Sequence, residues 1–228
     1  MIKLLTEDRL DDFISFCEKR ITGAVIHTRL LTYSIYSNDV FFWYSLSEEG
    51  SVNGVFSMAD GIFLACPGED CDLAEAELFA NTVGAAEISS GEAAFTMKFA
   101  GNSETFSAED ISGENIRDVF GVVFEDDENR NRYFEKWYTD ASHKIRHNLI
   151  HGKCVYRDGK CVSVALTSGE TDSIAVISSV ATLKKYRNLG YGKQTVIALA
   201  QSLRKEVFLM TDNEKTMTWY EGMGFVEQ

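Results

Sequence analysis

The sequence predicts an α/β protein, and three observations predict it. Short β-rich runs alternate with stretches of helical periodicity along the whole chain. Two-residue turn signals, Asp60-Gly61 and Asp158-Gly159, separate pairs of β-rich runs, as hairpins require. Toward the C-terminus the apolar run from Ile174 to Thr182 passes through a basic turn into a helix, as a central strand covered on both faces would.

Taken in order, residues 6–21 read as an amphipathic helix. Thr6 is placed to cap it, acids fill its first turn, and Leu10, Phe13, Ile14 and Cys17 recur at helical spacing. A second helix follows Gly23. From Asp39 the pattern turns to strands at 40–46, 52–58 and 62–65, then an Ala-rich helix over 72–83 and a short strand near 86–89. Strand, strand, helix and strand return later in the chain, an echo that suggests internal duplication with the motif lost from the first copy. Residues 94–100 read as a strand, 115–124 as a helix ending in the acid run Glu125 to Glu128, and 129–151 as a long helix stopped by Gly152. Strands at 154–157 and 160–166 flank Asp158-Gly159. The central strand at 174–182, a helix over 189–204, a strand at 206–210, a short helix over 214–222 and a strand from Gly224 complete the chain. The domain boundary is expected near residue 92, giving an α+β domain at 1–92 and a larger one at 93–228.

With 228 residues, 45% of them hydrophobic, the chain has material for one large core or two small ones. No window approaches the roughly 20 uncharged apolar residues of a membrane span, and the charged first dozen residues do not resemble an export signal. Five cysteines without CxxC spacing suit buried thiols in a reducing compartment, so a cytoplasmic protein is expected. The net charge of −13 divides as −11 over residues 1–92, −7 over 93–128 and +5 over 129–228. An acidic protein with a positive C-terminal segment is a poor partner for nucleic acid and suits one small polyanion.

The segment that carries chemistry is Ser179-Val-Ala-Thr-Leu-Lys-Lys-Tyr-Arg-Asn-Leu-Gly-Tyr-Gly192, a strand, a basic turn and a helix start. Amides at a helix N-terminus lack partners within the helix and lie at the positive end of its dipole, so a pyrophosphate can accept several of them. Gly190 and Gly192 let phosphates approach the backbone, and Lys184, Lys185, Arg187 and Lys193 supply charge. Taken alone, the two glycines fit a Rossmann turn as well.

The run Val180-Ala-Thr to Tyr186-Arg-Asn-Leu-Gly-Tyr-Gly192 resembles the Arg/Gln-x-x-Gly-x-Gly/Ala signature of the GNAT superfamily of N-acetyltransferases. Thr211-Asp-Asn213, followed by Trp219-Tyr-Glu-Gly-Met-Gly-Phe225, is similar to that family's closing motif. The resemblance covers about residues 93–228. It implies a mixed, mainly antiparallel sheet splayed at Val180 to Thr182, preceded by a smaller α+β domain that reads as a degenerate GNAT-like half. It also implies that the main chain of Val180, Ala181 and Thr182 pairs with pantetheine amides, and that Arg187, Asn188, Leu189, Gly190, Tyr191, Gly192 and Lys193 hold the pyrophosphate of acetyl-CoA. Tyr220 matches the general acid that protonates the departing thiolate, and Asn213 the side chain that steadies the pantetheine arm. The implied reaction is direct attack on the thioester by a primary amine of a small molecule or peptide, in a monomer or homodimer, with no metal.

Two features depart from that pattern. Ser178 and Ser179 stand where many relatives place a carboxylate base, which leaves Glu170 or Asp172 acting through water, a residue of the first domain, or solvent. The chain stops at Gln228, before the usual final hairpin, so something else must cover that sheet edge, and the first domain is one candidate.

Other residues have plainer readings. His143, His147 and His151 share a helix face at metal-ligating intervals, but no third ligand accompanies them and their place near a helix C-terminus is electrostatically ordinary. Cys154 and Cys161, facing each other across the hairpin, read as core thiols, and Phe41, Trp43 and Tyr44 as core aromatics or an acceptor pocket. Two other functions remain in view: a catalytically silent acyl-CoA sensor, favoured by the missing base, and a nucleotide-binding module that would use Asp212 for a ribose.

Overall fold

The computed structural model describes residues 1–91, 93–132 and 134–228. Glu92, at the expected boundary, and Tyr133, inside the expected 129–151 helix, lie outside them. The chain divides into two compact units, one of Met1–Ala93 with Gly169–Ile174, the other of Ala94–Ser168 with Ala175–Gln228.

The first unit runs β1 (Ile2–Leu4), α1 (Leu10–Cys17), α2 (Ile21–Tyr33), β2 (Val40–Leu46), β3 (Val52–Ala59), β4 (Ile62–Pro67), α3 (Leu73–Thr82) and β5 (Glu87–Ser89). Its sheet has the order β1-β2-β3-β4-β5, antiparallel except for the parallel pair β4 and β5. Asp60 and Gly61 both adopt positive φ, 55° and 76°, which gives the tight β3–β4 turn its backbone twist. Strand alternation sends Phe42, Tyr44, Val55 and Leu64 toward α1 and α2, and Trp43, Phe56, Phe63 and Ala65 toward Ala76 and Ala80 of α3. Trp43 and Tyr44 are therefore core residues on opposite faces, while Phe41 stacks on Trp43 from outside. Residues 169–174 are fastened to the helices: Thr28 Oγ1 accepts from the Glu170 amide at 2.8 Å, and Thr171 Oγ1 donates to the Glu18 carbonyl at 2.8 Å. A Cβ on Gly169 would sit 2.5 Å from the Val25 backbone, so only glycine fits against α2 there.

The second unit contains β6 (Phe95–Phe99), β7 (Glu109–Asp110), α4 (Ile116–Val123), α5 (Phe134–Arg146), β8 (Gly152–Arg157), β9 (Lys160–Glu170), β10 (Ile174–Ile177), β11 (Ala181–Thr182), α6 (Tyr191–Ser202), β12 (Glu206–Thr211), α7 (Glu214–Glu221) and β13 (Phe225–Glu227), with β9 and β10 lending their ends to the first unit. The strand order is β13-β6-β12-β10-β9-β8-β7, with β11 beside β9. One face packs Ile116, Val119, Val122, Ala141 and Ile145 of α4 and α5 on Val164 and Leu166; the other packs Val196, Ile197 and Leu199 of α6 on Met97, Val207 and Leu209.

Three expectations change here. Helix α5 stops at Arg146, well before Gly152. Asn148 takes φ 56°, its amide bonds to the Ile145 carbonyl and the Leu149 amide to that of Lys144, so a Schellman cap with asparagine in the left-handed position ends it. The apolar run 174–182 breaks after Ile177 and resumes at Ala181. The edge of β12 is covered by β6 of the same unit. β6 runs antiparallel to both β12 and β13, pairing Met97 with Leu209 on one side and Glu227 on the other.

Candidate active site

The break in the apolar run opens the sheet. The Ser178 amide still donates to the Leu166 carbonyl at 2.9 Å, but the Val180 amide turns back to the Ser178 carbonyl at 2.9 Å, so the ladder is interrupted. Beyond it β11 pairs with β9 (Ala181 with Val164, Thr182 with Ser163), while β12 runs alongside β10. A cleft of about 530 Å³ lies here, lined by Val180, Ala181 and Thr182, by Tyr186, Arg187, Asn188, Gly190, Gly192 and Lys193, and by Thr216, Trp219 and Tyr220.

The turn between β11 and α6 is built to present amides. A 3-10 turn at Lys184–Tyr186 leads to Arg187 in an extended conformation, then Asn188 and Gly190 both adopt left-handed φ, 61° and 86°. The first α6 ladder bond runs from the Gln194 amide to the Gly190 carbonyl, so the amides of Tyr191, Gly192 and Lys193 precede it. Gly190 caps α6 without a side-chain hydrogen bond, whereas Asp72 caps α3 and Asn213 caps α7 through their own oxygens. Of the helices that follow β4, β11 and β12, α6 alone has an N-terminus clear of its own cap. The two glycines serve different ends. At Gly190 a Cβ would meet open space and the left-handed backbone is the constraint; at Gly192 a Cβ would stand 3.2 Å from Thr182 Oγ1 and from the Trp219 indole. Beneath them Ser163 Oγ lies 2.8 Å from Thr182 Oγ1 and 3.0 Å from Thr195 Oγ1, and Thr195 donates to the Tyr191 carbonyl at 3.0 Å. This buried chain of hydroxyls ties β9, β11 and the first turn of α6 together.

Tyr220 lies on α7 with its ring against Trp219 and Phe225, only 7% exposed. Burial pushes its phenol up to about 12, so it holds its proton at neutral pH. Nearby cations are already paired: Lys193 with Glu104, and Lys184 and Arg187 with Asp126. Of the residues singled out from sequence for the cofactor, Lys184, Lys185, Leu189, Tyr191 and Asn213 do not line the cleft; Leu189 is exposed, and Asn213 accepts the Thr216 amide as a helix cap. Tyr186, Thr216 and Trp219 line it without having been anticipated. Thr216 stands one helical turn before Tyr220, a same-face spacing legible in the sequence, whereas Trp219, adjacent to Tyr220, is not placed by that spacing.

The remaining candidates lie elsewhere. Glu170 is buried and Asp172 exposed within the segment that belongs to the first unit, and neither lines the cleft. The His143 and His147 rings lie 4.4 Å apart, and among the described residues no group of three or more His, Cys, Asp or Glu is placed to hold a metal ion. Cys154 opposes Val164 and Cys161 opposes Tyr156 in the register, yet the two thiols hydrogen-bond to each other, and both are buried in the core. Among the described residues no helix is long and apolar enough to cross a membrane.

Residues 114–225 match the sequence model of the family described as Acetyltransferase (GNAT) family. Among solved structures, the chain is similar to a tandem GNAT protein from the clavulanic acid biosynthesis pathway, with TM-score 0.60, 11% identity, and 100% of this chain and 95% of that one covered. It is similar to an acetyltransferase of the GNAT family from Novosphingobium aromaticivorans, with TM-score 0.53, 13% identity and 92% of each chain covered. A third, an acetyltransferase from the GNAT family of Colwellia psychrerythraea, has TM-score 0.51, 12% identity, and 100% and 96% covered. At these identities the likeness is one of fold. No curated protein sequence matches the chain.

Proposed function

We propose, from the match of residues 114–225 to the model of the GNAT acetyltransferase family, that the protein transfers an acetyl or other short acyl group from coenzyme A to a primary amine of a small molecule or peptide. The observation that carries this reading is the meeting, in one cleft, of the unpaired side of β11, the uncapped start of α6 and the protonated Tyr220. Val180 to Thr182 would pair with pantetheine and the turn from Arg187 to Lys193 would take the pyrophosphate. The amine nitrogen attacks the thioester carbonyl and releases its proton to solvent, the tetrahedral adduct collapses with cleavage of the C–S bond, and the sulfur accepts the Tyr220 proton, which solvent restores. Residues 1–92 are read as a degenerate GNAT-like half. Its succession β1-α1-α2-β2-β3-β4-α3-β5 has the same order as β7-α4-α5-β8-β9-β10-α6-β12, apart from β11, which follows β10 in the second unit. Where the second copy has its basic turn, the first has Glu69, Asp70 and the capping Asp72, which repel a phosphate and occupy the helix start.

Calorimetric titration with acetyl-CoA tests the site. Saturable binding that Gly190→Glu abolishes is expected, because the new carboxylate stands where phosphate would bind. Tyr220→Phe should keep acetyl-CoA affinity within about twofold while lowering kcat by about 10²- to 10⁴-fold on any amine the protein accepts. A second reading, a cofactor-binding sensor without turnover, is favoured by one observation: the residues lining the cleft include no carboxylate and no histidine. Binding of acetyl-CoA with no acyl transfer across a broad amine panel would select it.

A further inference from the structure

The acid run after α4 reaches the turn that the proposed function assigns to the cofactor. Glu125 Oε2 accepts the backbone amide of Lys184 at 2.7 Å and so caps the 3-10 turn. Asp126 takes the charges: Oδ1 lies 2.7 Å from Lys184 Nζ, and Oδ2 lies 3.3 Å from an Arg187 terminal nitrogen. Arg187 is held on its other side by its Nε donating to the Thr182 carbonyl at 2.9 Å. All three charged groups are about half exposed or more, so the pairs are weak and exchangeable. The Lys184 ammonium first, and the Arg187 guanidinium after it, hold the Asp126 carboxyl below the usual carboxylate range.

We infer that Asp126 is a resident anion that sets the affinity of this turn for phosphate, pairing with Lys184 and Arg187 in the free protein and yielding them to the ligand. The inference rests on the reading of Arg187 to Lys193 as a phosphate site, with the phosphates those of coenzyme A. A ligand phosphate bound at α6 would gain both cations, yet would also meet a like charge within a Debye length. Removing that charge therefore tightens binding, and the gain shrinks with salt.

The test is calorimetry on wild type and Asp126→Asn, an exposed and nearly isosteric change, with acetyl-CoA at low and high salt and circular dichroism to confirm folding. Asp126→Asn should bind acetyl-CoA about three- to tenfold more tightly at low salt, with the ratio falling toward one at high salt. Equal or weaker binding by a folded Asp126→Asn overturns the inference, since Asp126 would then be inert or would be ordering the turn. If wild type does not bind acetyl-CoA, the cofactor reading fails separately, and inorganic pyrophosphate replaces it as the probe. Tighter pyrophosphate binding by Asp126→Asn supports the resident anion; unchanged binding, or none by either protein, overturns it.

Discussion

At the scale of single residues, glycines at equal sequence prominence have unequal structural demands. Gly224, in the closing motif, combines φ 91° with a position where a Cβ would lie 2.0 Å from the Gly101 carbonyl oxygen, whereas Gly190 has φ 86° and open space. Gly190→Ala should therefore cost about 1–2 kcal/mol of backbone strain, and Gly224→Ala about 3 kcal/mol or more, a ranking that urea denaturation reads directly. Tyr220 provides a pH signature. Below pH 10 its phenol is protonated in the folded and unfolded chains alike; with the folded value raised to about 12, the unfolded chain ionises first above that point. Folding stability should fall by up to roughly 3 kcal/mol between about pH 10 and 12 on this account. Tyr220→Phe removes that part of the alkaline loss, and a comparison of urea midpoints at pH 8 and 11 would show whether it does.

At the scale of elements, local chemistry made most strands and helices legible. Asp158-Gly159 adopts the paired positive φ angles, 51° and 74°, that its sequence announces, and the nearly continuous apolar run of Val40 to Leu46 marks a strand with two buried faces. What sequence could not convey were events decided by pairing partners. The interruption at Ser178 to Val180 lies inside an apolar run because the halves pair differently, β10 between β12 and β9 and β11 beside β9 off that path. The place of β6 between β12 and β13 joins residues more than a hundred positions apart, which no local pattern encodes. The cleft was legible in its strand, its turn and Tyr220; its Trp219 wall was hidden because an aromatic on a short helix looks like any other core residue. Since Met97 is wholly buried at the centre of β6, Met97→Ala should destabilise the protein by about 2–4 kcal/mol, measurable as a lower urea midpoint with the slope preserved.

At the scale of the whole molecule, thiol chemistry follows burial. Cys17, Cys66, Cys154 and Cys161 are buried and Cys71 is partly open; burial pushes the Cys66 thiol up to about 11 and that of Cys17 further, while Cys161 is raised first by its hydrogen bond with Cys154 and then by burial. A colourimetric thiol reagent should thus modify Cys71 first and reach the other four only on unfolding; fast loss of two or more thiols in the native protein would contradict this. The excursion of residues 169–174 into the first unit bears on how the chain folds as it leaves the ribosome. When residue 93 emerges, the first unit still lacks the strand ends that satisfy Thr28 and pack against Val25, and about 80 more residues must be made before they arrive. Vectorial synthesis therefore cannot finish the N-terminal unit first. Its last contacts are supplied by the second half of the message, so a chain truncated between residues 93 and 168 should be a better substrate for proteases and chaperones than its length alone would predict.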